Sequence, residues 1–155
     1  MKPTDWKNEK KILLIEDQDR GAFFQEFLEV KYKLNVTWIE SLDEAWDTIC
    51  REQFDLIILD VMMPIDSKSP LYSTQVEYNI KNEYGMFSGL LLLIKLRLTQ
   101  IYTEPCKVIL FSARSRERVD GELKNLREKV KYDAFVPKSD DPDKLYTTIE
   151  NLLVL

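Results

Sequence analysis

Five short stretches read as buried strands: Lys11–Ile15, Asn35–Ile39, Asp55–Asp60, Cys106–Phe111 and Ala134–Val136. Lys11–Ile15, Asp55–Asp60 and Cys106–Phe111 carry nearly unbroken apolar runs, the pattern of a strand covered on both faces. Between the strands the apolar spacing changes to that of a helix. From Asp19 to Lys33 it falls on Phe23, Phe24, Phe27, Leu28 and Val30. Ser41, with Glu44 three residues on, reads as a capping box that opens a helix with an inner stripe of Leu42, Ala45, Trp46 and Ile49. Gly89–Ile101 is a leucine-rich helix, and Val119, Leu123, Leu126 and Val130 predict an amphipathic one. Asp141-Pro142 supplies an N-cap and a proline at the first helical position, ahead of Leu145, Ile149, Leu152 and Leu153.

Buried strands alternating with helices predict an α/β fold, a doubly wound parallel sheet with helices on both faces. For five strands in this length the expected order is 2-1-3-4-5, with its switch point between the first and third strands. Ligands then bind beyond the carboxyl ends of the strands, so the residues at those ends are the candidates for chemistry.

The first strand ends in Glu16 and Asp17, the third in Asp60, the fourth in Ser112 and the fifth in Lys138. With neighbouring strands ~4.8 Å apart, the first-strand acids flank Asp60 on one side and Ser112 flanks it on the other. Lys138 starts two strands away, a gap of ~10 Å that its long stem can cross. Carboxylates ~6 Å apart repel by ~3 kcal/mol per pair at an effective dielectric of 20, so the cluster must take up protons or bind a cation. Oxygen-only ligands with room for water favour magnesium. A metal, an ammonium group and a hydroxyl around a central carboxylate suit a phosphoryl group carried on that carboxylate, with Asp60 as the nucleophile. Each residue alone also has a plainer reading: Glu16-Asp17 and Asp60 as helix caps, Ser112 as a loop hydroxyl, Lys138 as a surface lysine.

Composition narrows the choice. The net charge of −5 argues against a nucleic-acid or anionic-membrane binder, and points to a protein or a cation as partner. With no histidine at all, Ser-His-Asp and Cys-His catalysis, histidine-ligated zinc and a phosphohistidine carrier are excluded. The two cysteines, Cys50 and Cys106, form no CxxC and read as reduced thiols of a cytoplasmic protein. The longest apolar run, Leu90–Ile94, falls far below the ~20 residues of a membrane span. Residues 1–9 are polar, carry no signal-peptide core and read as a flexible N-terminal arm, ahead of a single domain over 10–155.

The segments KILLIEDQD, DLIILDVMMP, VILFSAR and AFVPKS, in this order and each at a strand end, resemble the receiver domain of two-component response regulators, the stand-alone, chemotaxis-regulator-like kind. The resemblance covers residues 10–154 and implies a flavodoxin-like three-layer sandwich. It implies that Asp60 is phosphorylated and that Glu16, Asp17, Asp60 and the backbone carbonyl of Met62 hold magnesium. Ser112 and Lys138 would contact the phosphoryl group, and Phe135 matches an aromatic switch position. The donor would be a phosphohistidine on a sensor kinase or phosphotransfer protein, and the output a downstream protein target. On this reading the chain is a regulator rather than an enzyme. Its intrinsic dephosphorylation is governed by the residues two after the aspartate and two after the hydroxyl residue, Met62 and Arg114.

Three departures accompany the resemblance. Ser139 replaces the proline that usually follows the lysine, so the Lys138–Ser139 peptide is expected to be trans. The switch aromatic lacks a hydroxyl. Between Pro64 and Gly89 stand residues 65–88, an insertion where family members place about three. Within it Val76–Tyr84 reads as helix, and Tyr72, Tyr78, Tyr84 and Phe87 suit either a partner surface or packing onto the domain. Two other functions remain. An unphosphorylated pseudo-receiver would act as an interaction module. A phosphatase of the haloacid-dehalogenase type would need a second acid where Met62 stands.

Overall fold

A computed structural model describes residues 5–77, 87–102, 104, 106–124, 126 and 128–154. Its strands are β1 (Ile12–Ile15), β2 (Val36–Ile39), β3 (Leu56–Asp60), β4 (Lys107–Ser112) and β5 (Ala134–Pro137). They pair in parallel in the order β2-β1-β3-β4-β5, as the alternation of elements predicts. The helices are α1 (Trp6–Glu9), α2 (Gln18–Glu26, continuing as a π-helical turn over Phe27–Lys31), α3 (Leu42–Arg51), α4 (Tyr72–Glu77), α5 (Ser88–Thr99), α6 (Arg116–Glu122) and α7 (Pro142–Leu153). None of them is long and apolar enough to cross a membrane.

Successive side chains of a strand point to opposite faces, so each strand feeds two cores. Leu13, Ile15, Ile57, Leu59, Val108 and Leu110 pack with Leu42, Ala45 and Ile49 of α3 and with the leucines of α5. Ile12, Leu14, Leu56, Ile58, Ile109 and Phe111 pack on the other side with Phe24, Leu28, Leu145 and Ile149. The predicted caps are present: the Ser41 hydroxyl accepts the Glu44 N–H at 3.1 Å, and Asp141 accepts the Asp143 N–H at 2.9 Å.

Three local expectations need correction. The segment read as a loose arm contains the α1 turn, and Trp6 is buried as part of the second core. On α2, Phe24 and Leu28 face inward, but Phe23 and Val30 are 55% and 62% exposed. The stripe on the sheet is narrower than the apolar pattern, and the widened turn after Glu26 changes the helical phase before Val30. The helix expected through Val130 ends at Glu122 and continues as turns, with Leu126 and Lys129 donating to carbonyls three residues back. Val119, Leu123 and Val130 are buried all the same, so their spacing records inward positions rather than continuous helix.

In the insertion, the described helix is Tyr72–Glu77; the part of the expected Val76–Tyr84 helix from residue 78, with Tyr78 and Tyr84, lies outside the described residues. Leu71 and Phe87 are buried in the core that contains α5, so Phe87 packs onto the domain. The Ser69 hydroxyl donates to Asp43 Oδ1 at 2.5 Å and accepts the Leu71 N–H at 3.1 Å, which ties the start of the insertion to the first turn of α3. This cover explains why Leu90, Leu91, Leu92 and Leu93 are all buried although they point around the whole circumference of α5.

Candidate functional site

The register of the sheet assembles the site. Ile15 pairs with Leu59, which brings Glu16 level with Asp60; Asp60 pairs with Phe111, and Ser112 with Pro137, which places Ser112 and Lys138 at the next two strand ends. One carboxylate oxygen from each of Glu16, Asp17 and Asp60 lies within 4.8 Å of the others. Glu16 and Asp60 are buried and Asp17 is half-buried.

Lys138 crosses the mouth of β4 to reach these acids. Its Nζ is 3.0 Å from Asp60 Oδ2 and 3.0 Å from Glu16 Oε1. Glu16 Oε2 is 2.8 Å away as an ion-pair contact without hydrogen-bond alignment. The side chain is only 7% exposed, and its ammonium also lies 5.4 Å from the centre of the Phe111 ring. Its backbone N–H donates to Ser112 O at 2.8 Å, and the peptide to Ser139 is trans, as expected with serine in place of proline.

Asp60 is held from both sides. Oδ1 accepts the Met62 N–H at 2.9 Å while Oδ2 faces Lys138. Helix α5 begins against the backbone here: Gly89 N–H donates to Val61 O at 2.9 Å, and a Cβ on Gly89 would stand 2.3 Å from Asp60 O. Only glycine allows that approach, and it stands one residue inside the helix, which starts at Ser88 rather than at the expected Gly89.

The acidic loop is held in a similar way. Asp17 N–H donates to Glu16 Oε1 at 3.0 Å, and Asp17 Oδ1 caps α2 by accepting the Arg20 N–H at 3.2 Å. The Trp38 indole N–H donates to Glu16 O at 3.0 Å, over Gly21, whose absent Cβ would fall 1.9 Å from that nitrogen. The apolar pattern of Asn35–Ile39 gives no sign of this support from Trp38. A glycine four residues after Asp17, inside a helix, was the available signal of close approach.

Ser112 is buried, and its hydroxyl oxygen accepts the Arg114 N–H at 3.0 Å. Beside it a cleft of about 510 Å³ opens between residues 113–117 and Phe135, Pro137 and Ser139. Phe135 is partly buried, 6.5 Å from the Tyr132 ring.

Burial pushes the Glu16 carboxyl up to about 7, helped by its hydrogen bond to Asp60 and by the Asp60 charge, while Lys138 opposes the rise. One ammonium among three carboxylates leaves negative charge in excess. The donors are all carboxylate oxygens, close together, with one Glu16 oxygen lacking an aligned hydrogen bond. This set fits a small hard divalent cation such as magnesium.

No family model matches the chain. Among curated proteins it is similar to the autoinducer 2 sensor kinase/phosphatase LuxQ of Vibrio vulnificus, 32% identical over 68 residues, and of Vibrio parahaemolyticus, 34% over 65. These matches cover 40% and 41% of the chain and 8% of each relative, so the chain spans a small part of the relatives' length. Solved structures match far more of it. The Francisella response regulator 1452 receiver domain has a TM-score of 0.64 at 24% identity, covering 93% of this chain and 96% of that one. The chain has the receiver-domain fold. The receiver-fold regulator TrrA of Thermotoga maritima, solved in complex with Mg2+-BeF, matches with a TM-score of 0.63 at 23% identity, over 93% of this chain and 99% of its own. Chemotaxis protein CheY4 of Vibrio cholerae gives 0.63 at 18% identity, over 93% and 98%.

Proposed function

We propose that this receiver-fold protein is a phosphoacceptor of a two-component system, with Asp60 as the residue that takes the phosphoryl group. The observation that carries the reading is the convergence of Glu16, Asp17 and Asp60 on one point with the Lys138 ammonium 3.0 Å from Asp60. Capping of α2 gives Asp17 a local task, but it does not call for Glu16 and Asp60 buried beside it, whereas a charged phosphoryl group on Asp60 needs both a cation and an ammonium.

In the transfer, a carboxylate oxygen of Asp60 forms a bond to phosphorus as the P–N bond of a donor phosphohistidine breaks, and the imidazole nitrogen keeps the electron pair. Met62 N–H and Lys138 orient the Asp60 carboxylate before attack. Lys138 then turns from ion pairing with Glu16 and Asp60 to pairing with a phosphoryl oxygen, and the Ser112 hydroxyl donates to another. Glu16, Asp17, Asp60 and the Met62 carbonyl would hold magnesium, which supplies positive charge to the phosphoryl oxygens.

The donor is a sensor histidine kinase or histidine phosphotransfer protein, and the output is altered contact with a downstream protein on the face of α6, β5 and α7. The similarity of part of the chain to sensor kinase/phosphatases fits such a phosphotransfer setting. The free thiols of Cys50 and Cys106 fit a cytoplasmic one. The insertion, rooted beside the site by Ser69 and Asp43, we assign to partner choice.

Intact-mass spectrometry with acetyl phosphate and magnesium tests the reading. One phosphoryl mass is expected on the wild-type protein and none on Asp60→Asn; equal labelling of both would reject it.

A further inference from the structure

One side chain ties both ends of α6 to the segment that leads into β5. The Tyr132 hydroxyl donates to Asp120 Oδ1 at 2.7 Å and accepts from Arg116 Nε–H at 3.0 Å. The Arg116 guanidinium lies 5.5 Å from the Tyr132 ring centre and 3.8 Å from Asp120 Oδ2. Within this seven-residue helix Val119 is the buried residue, so apolar packing alone gives it little purchase on the domain. Phe135 lies against the same tyrosine and has no hydroxyl of its own.

The other end of this network is the candidate site. Ser112 accepts the Arg114 N–H, Ser115 caps α6 by accepting the Arg118 N–H at 3.3 Å, and Arg116 follows at once. Because the Ser112 oxygen holds the Arg114 N–H, a shift of that oxygen toward a phosphoryl group draws Arg114 with it, and the three-residue link to α6 carries the displacement to Arg116. Arg116 is bonded to Tyr132. We infer that the Tyr132 hydroxyl is a latch that holds α6 in the arrangement described here, and that its release sets how readily the site adopts its phosphorylated arrangement.

The regulatory half of this inference rests on the reading of Asp60 as phosphoacceptor. A two-state equilibrium is moved by contacts present in only one state, and the latch biases it toward the unphosphorylated one. Tyr132 is therefore a positioning residue, acting through α6 rather than on the phosphoryl group.

The test uses the whole chain with Tyr132→Phe, Asp120→Ala and the double variant. Amide hydrogen exchange over Val119–Leu123 should quicken at least about fivefold in Tyr132→Phe, which loses both the bond to Asp120 and the bond from Arg116. The rate of phosphorylation by acetyl phosphate should rise by a similar factor. Asp120→Ala, which leaves the Arg116 bond to Tyr132, should give a smaller rise, and the double variant should match Tyr132→Phe within about twofold, because both act on one latch. Unchanged exchange in Tyr132→Phe overturns the latch, whatever happens at Asp60. Faster exchange with an unchanged phosphorylation rate overturns its regulatory role. A wild-type chain that takes up no phosphoryl group overturns the Asp60 reading and that role together, while the exchange data still decide the latch by themselves.

Discussion

Lys138 Nζ and Asp60 Oδ2 stand 3.0 Å apart although their strands, β5 and β3, are separated by β4. The same ammonium meets Glu16, one strand further. A side chain this buried that spans the sheet end would be costly without its acids, and they without it. Lys138→Met should therefore lower stability by about 3 kcal/mol at neutral pH, with the loss shrinking in acid as a freed carboxyl takes up a proton. Urea denaturation across pH measures both effects.

Magnesium should raise the melting temperature of the unphosphorylated protein by mass action. Asp17→Asn is the discriminating variant, since asparagine keeps the cap on Arg20 N–H and removes only the charge. It should abolish most of the magnesium increment and leave the metal-free melting temperature nearly unchanged. An undiminished increment would place the metal elsewhere.

The Glu16 carboxyl sets a pH dependence whose sign follows from its raised value. The folded state holds this proton up to about 7 and the unfolded chain only to 4.5. Its contribution to metal-free stability is thus complete below 4.5 and is lost as the pH rises through about 7. Magnesium competes with the same proton, so its stabilising increment should grow over that interval. Thermal melts at several pH values, with and without magnesium, check the opposite slopes.

Packing of the insertion predicts unequal costs for two apolar residues. Leu71→Ala should destabilise by about 2–4 kcal/mol, because Leu71 is 1% exposed in the α5 core. Val76→Glu, at 82% exposure, should stay within about 0.5 kcal/mol. If the insertion also selects the partner, Val76→Glu should slow phosphorylation by the cognate kinase and leave acetyl phosphate unaffected. Equal effects on the two donors would remove that assignment.

The residues flanking Asp60 and Ser112 predict a long-lived phosphoryl group. Methionine at position 62 cannot hold an attacking water in line, and the exposed Arg114 can screen the group instead. Met62→Asn should shorten the lifetime several-fold in a loss-of-label assay, and an unchanged or longer lifetime would contradict this.

The sheet and the four strand-end positions were legible because strands buried on both faces leave almost no polar residues, so Glu16, Asp60, Ser112 and Lys138 stand out where each run stops. Their convergence then follows from the strand order alone. Less legible were features set by contacts distant in sequence. Trp6 joins the core shared with Phe24, Leu28, Leu145 and Ile149, a placement that no local pattern announces. Phe23 and Val30 share the apolar spacing of Phe24 and Leu28, and only docking on the sheet decides which pair is covered. The Ser69–Asp43 bond joins residues 26 apart, and Tyr132 meets Asp120 across a turn that replaces expected helix.

The central claim is that Asp60, and no other carboxylate of the cluster, carries the phosphoryl group. Borohydride reduces an acyl phosphate to an alcohol, so protein treated with acetyl phosphate and magnesium, reduced and digested, keeps a permanent mark at the acceptor. Peptide mass spectrometry should find homoserine in place of aspartate at position 60, dependent on magnesium and absent when the donor is omitted. Reduction at Glu16 or Asp17, or at no residue of the cluster in protein that binds magnesium, would contradict the account.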